Sequence, residues 1–457
     1  MTHASNFISI AVILGALAVL LVGLKAVEKK KRFHPEILRK GVHVGMGLVV
    51  LPLPWMLDGA WPMIVLGGLA CAALVVTRLI PSLRGGIGTV LGGVNREGLG
   101  EIYFAISVTI LFLISQGEWL LYVVPILTLA FADAAAAVIG IRYGQTQYQT
   151  SEGIKSVEGS LAFFLVTFFS VHLPLLLLTD TGRVEVVLIA TILALLVMML
   201  ELVSWRGLDN LFIPLGTYAF LRLYLDEEPQ ALLIRVLVAI AFTAFALAWR
   251  RRSKLDDSAL VGCALFGYGA FLLGGWQWLI APFGFFAIHT LVWPRSGKRR
   301  SHTVYTMLSI AGGALLWLFV HVIAEQGWFV IPFATTFAAQ LTLYGVSRVT
   351  LQPERGNRLV RLMGAVGLGW IIVYVPTLLI VFGRGIDLGN LMVPDSEAMG
   401  LLADLGFGLL AIGIVAAVFL LLTPRIYGPP LRANLINPIF AILGLFASLV
   451  ASLRWLT

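Results

Sequence analysis

Asp133 stands inside the apolar run FADAAAAVIG, and Lys155-Ser156 opens the next apolar run after the polar, glycine-containing loop IRYGQTQYQTSEGI. An unpaired acid in hydrocarbon costs several kcal/mol, so such a residue is expected to carry function or a functional ion pair. A helix opened by Lys-Ser is an anion site, because its first backbone N–H groups are free and its dipole favours negative charge. An acid able to hold a metal is thus joined by one loop to a site able to hold phosphate. The segment HPEILRKGVHVGMG places Glu36, Arg39, Lys40 and His43 at i, i+3, i+4 and i+7, on one helix face. Glu97 and Glu101 lie in REGLGEIYF, and Glu201, Asp209 and Asn210 in ELVSWRGLDNLFIP. Carboxylates mixed with cations suit Mg²⁺, which takes a few carboxylates plus substrate phosphates. Phosphoryl transfer needs mainly positioning and charge neutralisation. Each residue also has a plainer reading. Arg39 and Lys40 can snorkel to headgroups with Glu36 as surface partner. His43 can be a bonded core histidine, and Glu97 a solvated loop acid. Ser156 and Asp209-Asn210 can be helix N-caps. Asp133 and Glu201 are hardest to explain that way.

Composition determines which elements hold these groups. The 457 residues are 59% hydrophobic and 12% charged, with mean hydropathy +0.94. Soluble domains carry about 25% charged residues. The fold expected is all-α, a polytopic helical integral membrane protein. Cutting the apolar runs at about 20 residues gives about 16 spans (14–16): 7–24, 37–57, 61–80, 100–115, 119–140, 159–178, 184–203, 210–225, 231–249, 258–276, 279–293, 303–324, 328–346, 359–382, 400–422 and 434–455. The cluster Lys25 to Arg32 follows the first span, which reads as a retained helix with its N-terminus outside. With that orientation most Lys and Arg fall in inside loops, including Arg295 to Arg300 and Arg348 to Arg358. The polar residues of the first half then gather at the cytoplasmic surface. The net charge of +8 reflects these loops, not a nucleic-acid surface. Cys71 and Cys263 lie in apolar runs and indicate neither a disulfide framework nor a zinc site. No GxxxxGKS loop and no kinase HRD or DFG set is present. Asp226 to Gln230 is the expected seam between a domain 1–228, with ionisable groups in or beside its spans, and a domain 229–457, with charges almost entirely in loops.

The run D-A-x-A-x-x-x-G-x-x-x-G followed by K-S-x-E-G-S resembles the signature of the polyprenol kinase family, which includes dolichol and phytol kinases. The matching residues are Asp133, Ala134, Ala136, Gly140, Gly144, Lys155, Ser156, Glu158, Gly159 and Ser160. Three more blocks are similar and stand in the family's order over about residues 33–225. They are Glu36, Arg39, Lys40 and His43; Gly100, Glu101, Tyr103 and Phe104; and Glu201, Ser204, Gly207, Asp209, Asn210 and Pro214. The resemblance implies a CTP-dependent kinase that phosphorylates an isoprenoid alcohol (dolichol, polyprenol, phytol or farnesol) in a prokaryotic plasma membrane, with its site facing the cytoplasm. It implies that Gly153, Lys155, Ser156, Gly159 and Ser160, with Arg39 and Lys40, hold the triphosphate. Asp133, Glu158 and Asp209 would hold Mg²⁺. Asp133, Lys155, Glu158, Glu201 and His43 would form the catalytic set, and which of them takes the alcohol proton is left open. A phosphatidate cytidylyltransferase-like enzyme shares the nucleotide. A lipid transporter or scramblase is the alternative outside enzymes.

Overall fold

The computed structural model describes residues 3–29, 34–80, 98–151, 153–250, 253, 255–292, 303–351, 357–382, 396–426 and 436–456. Glu97 and many loop cations used for orientation (Lys30 to Arg32, Arg295 to Arg300, Arg384, Arg432) lie outside these residues. Two compact units divide the chain between Thr243 and Ala244, a point inside the helix Pro229–Trp249.

The first unit runs through α1 (His3–Lys29), α2 (Pro35–Val50), α3 (Leu53–Met56), α4 (Ala60–Leu79), α5 (Gly100–Ser115), α6 (Trp119–Leu127), a π turn (Thr128–Ala132) and α7 (Asp133–Tyr143). A two-stranded hairpin follows, β1 (Gln147–Thr150) and β2 (Gly153–Ser156), then α8 (Val157–Leu178), α9 (Arg183–Val203), α10 (Asp209–Tyr224) and α11 (Pro229–Trp249). Thirteen helices of the described residues are long and apolar enough to cross a membrane. The expected spans at 100–115 and 210–225 are helices of 16 residues, about 24 Å against a hydrocarbon core of about 30 Å. The expected span at 279–293 is the eight-residue helix Ile280–Ala287 continued by a π turn.

Local signals explain the ends of these helices. Pro35 fills the first position of α2, where no N–H is needed, and the His34 ring accepts from Glu36 N at 3.3 Å. Ser156 caps α8, its Oγ accepting from Gly159 N at 3.1 Å. Pro125 gives α6 no N–H and is followed by the wide π turn that ends at Asp133. A core of Val42, Met46, Phe104, Val108, Leu129 and their neighbours binds α2, α5 and the π turn together. Buried Tyr122 donates to Val50 O at 2.9 Å, which bridges α6 to the end of α2.

In the second unit the stretch Gly327–Thr350 is almost wholly buried. Its Gln340 donates to Ser309 O at 3.3 Å and Phe440 O at 2.7 Å, linking the helices on either side. Arg250 grips Asp257 through two bonds of 2.8 and 2.9 Å. Asp404 departs from the expectation that this half keeps its charges in loops. It is buried in the helix Ser396–Ile426, where Arg454 meets it at 2.7 Å and the Trp455 indole at 3.1 Å.

Candidate active site

The hairpin is where the structure adds to a purely helical reading. The loop expected between α7 and α8 pairs Gln147 with Ser156, Tyr148 with Lys155, Gln149 with Ile154 and Thr150 with Gly153. Gly153 sits at the turn with φ +134. Three contacts moor the hairpin to the helix ends. Thr146 N donates to the Glu158 carboxylate at 3.1 and 3.3 Å, the Tyr148 and Ser160 hydroxyls share a hydrogen bond, and Val157 N donates to Thr146 O at 2.9 Å. Beside it, α7 and α8 approach at glycine. A Cβ on Gly159 would lie 2.9 Å from Ala136 O and 3.4 Å from Gly140 Cα.

Two ion pairs, one between helices and one from β2 to a helix, accompany this frame. Lys40 of α2 meets Asp133 of α7, with side chains 6% and 7% exposed. Lys155 of β2 meets the Glu201 carboxylate at 2.7 Å and the Glu201 carbonyl at 3.3 Å. Glu201 is buried and Lys155 partly so. Burial alone would lower the pKa of the Lys155 ammonium. The Glu201 carboxylate outweighs that and raises it above the ordinary lysine value, so Lys155 stays charged. Arg39 pairs with Glu36 one turn away, at 2.6 and 3.2 Å. Asp209 lies within electrostatic range of both Arg39 and Lys155, and Asp133 within range of Arg39, so the two ion pairs belong to one charged site.

Backbone geometry holds Asp209. Arg206 and Gly207 take φ +53 and +86 ahead of α10, and Leu99 N donates to Arg206 O at 3.3 Å. Gly207 presses on the start of α5, where an added Cβ would come within 2.6 Å of Gly100 Cα. Asn210 is buried and its amide donates to Gly207 O at 3.3 Å. The ends of α2, α4, α5, α8, α9 and α10 therefore converge. Arg78, which reads from sequence as a plain loop-side cation, bonds Gly98 O and meets Glu101 at 3.1 Å, tying the end of α4 to the start of α5. Tyr148 is the other residue that sequence reasoning missed. Its place across the hairpin from Lys155 was not visible without the strand pairing.

The residues expected to bind metal stand apart in part. Among the described residues no three His, Cys, Asp or Glu side chains form a group that could hold a metal ion. Asp133 is engaged by Lys40 and Glu158 by Thr146. Mg²⁺ takes as few as one or two carboxylates and completes its shell with phosphates and water, so it does not require such a group.

The chain is 33% identical over 184 residues to a phytol kinase of Synechocystis, an alignment spanning 40% of this chain and 76% of that relative. The chain belongs to the polyprenol/phytol kinase-like family. No family model matches it, and no solved structure does. The paired lysines and carboxylates thus lie in a member of a family that contains a kinase.

Proposed function

We propose that this membrane protein is a CTP-dependent kinase of an isoprenoid alcohol, of the phytol, farnesol or dolichol class, working at the cytoplasmic face. One observation carries the reading: Lys40–Asp133 and Lys155–Glu201 bring two cations and two carboxylates to one charged site beside a Ser-capped helix start. A triphosphate is the ligand that answers the two lysines and the positive end of the α8 dipole together. Lys155, Ser156, Gly159 and Ser160, with Gly153 at the turn and Arg39 and Lys40 on α2, would hold it.

When bound, Mg²⁺ would neutralise phosphate charge, held by Asp133 and Asp209. Glu158 would join only by leaving Thr146. The alcohol oxygen attacks the γ-phosphorus. A new O–P bond forms as the bridging bond breaks, the electron pair leaves with CDP, and the hydroxyl proton passes to a base of the catalytic set, Asp133, Glu158, Glu201 or His43. As Lys40 and Lys155 turn to phosphate, Asp133 and Glu201 are freed from their cations. Nucleotide binding would therefore prepare the carboxylates of the catalytic set.

Product analysis tests this reading. Purified protein given CTP, Mg²⁺ and each alcohol should yield CDP and a lipid monophosphate. Pyrophosphate and a CMP-lipid formed from a lipid phosphate would make it a cytidylyltransferase. No nucleotide consumption with any lipid would reject enzymatic function.

A further inference from the structure

His43 lies one turn beyond Lys40 on α2, and its place differs from that of the other site residues. Its side chain is buried, and Nδ1 has no hydrogen-bond partner among the described residues. A buried imidazole nitrogen left unbonded is costly, so it calls for a ligand or a water. The ring meets Phe104 edge to face, with centroids 6.2 Å apart. Phe104 belongs to the apolar core that also holds Val42, Met46, Val108 and Leu129. The charges of Lys40, Asp133, Arg39 and Glu36 also act on it. His43 thus marks the boundary between the charged site and the hydrocarbon-like interior.

We infer that His43 Nδ1 receives the hydroxyl of the lipid alcohol and positions it for phosphoryl transfer. This rests on the kinase reading and deepens it. Chemistry and depth both select this ligand. A phosphate oxygen only accepts, so it satisfies Nδ1 in one protonation state of the ring, whereas a hydroxyl donates or accepts and satisfies either tautomer. A nucleotide reaching Nδ1 would also have to bury its polar groups beside Phe104 and the apolar core to which Phe104 belongs. An isoprenoid chain has no such cost there, and its single polar atom is the one that must meet the γ-phosphate near Lys40 and Asp133. His43 is a positioning residue in this account: it sets where the hydroxyl stands, and the charged site does the rest.

The test uses the full-length protein in lipid nanodiscs with labelled phytol as probe and phytane, which lacks the hydroxyl, as control. Wild-type protein without nucleotide should bind phytol at least tenfold more tightly than phytane. His43→Phe should abolish that preference and raise the KM for phytol at least tenfold, with the KM for CTP changed less than twofold. His43→Asn, which keeps a hydrogen-bonding atom near Nδ1, should retain most of the preference, and its behaviour decides the matter if the Phe variant does not fold. Equal binding of phytol and phytane by wild type would overturn the inference and show a histidine that only packs. So would equal rises in both KM values. If wild type turns over no alcohol at all, the kinase reading falls first; if it turns over phytol and His43→Phe leaves the phytol KM unchanged, only the positioning role falls.

Discussion

Lys40 and Asp133 offer the sharpest energetic test, because both side chains are almost fully removed from solvent. Replacing either residue alone leaves the other as a buried, uncompensated charge, a loss of about 3–5 kcal/mol. Removing both charges with apolar residues of similar size avoids that penalty and is often neutral or stabilising. Lys40→Met and Asp133→Leu should therefore each cost about 3–5 kcal/mol, while the double variant should be more stable than either. Because the double variant costs less than either single one, the implied coupling is at least about 3–5 kcal/mol, above the about 0.5–3 kcal/mol usual between contacting residues. Glu36→Gln provides the internal scale: its partner Arg39 is three residues away and both are partly exposed, so it should cost about 0.2–0.5 kcal/mol. The assay is reversible unfolding in mixed micelles of rising SDS content, followed by circular dichroism. The double variant should be folded and without turnover, which separates the pair's structural and chemical roles. Additive single costs, or single costs no larger than that of Glu36→Gln, would show that the two charges do not depend on each other.

Three further outcomes follow from the same geometry. Lys155→Met should abolish turnover without loss of folded protein, checked by comparing rate with circular dichroism. Because Glu201 raises the pKa of Lys155, the stabilisation from their pairing is fully present below the unfolded lysine value of about 10.4 and is lost as the pH rises through the folded value. Wild type and Glu201→Gln should therefore lose their difference in unfolding free energy only in strongly alkaline buffer. Gly207→Ala, at φ +86 and against the Gly100 backbone, should cost at least about 2 kcal/mol from strain alone and reduce turnover by displacing Asp209.

Much of the fold can be read from hydropathy, because a membrane helix must be long, apolar and internally hydrogen-bonded. That Asp133 lies in one apolar span and Lys155-Ser156 just before the next could be read the same way. Hydropathy carries no information on which way a helix face turns. That Lys40 meets Asp133, 93 residues away, and Lys155 meets Glu201, 46 residues away, depends on packing around Val42, Met46 and Phe104. The hairpin escaped because QYQT and GIKS are only four residues each and mostly polar, too short for an alternation to register. Arg78 escaped because a cation ending an apolar span has an ordinary explanation in topology. The carboxylates expected to hold Mg²⁺ were legible as residues, and the described residues form no three-membered cage from them. Glu158 shows why: its carboxylate serves the loop backbone at Thr146.

We propose that this charged site moves a phosphoryl group from a nucleotide to a lipid alcohol. The most direct measurement is incubation of the purified protein with γ-labelled CTP, Mg²⁺ and phytol, farnesol or dolichol, followed by extraction into organic solvent. The account predicts labelled lipid monophosphate from at least one alcohol with wild-type protein and none with Asp133→Asn. Absence of labelled lipid from every alcohol, or equal labelling by Asp133→Asn, would contradict it.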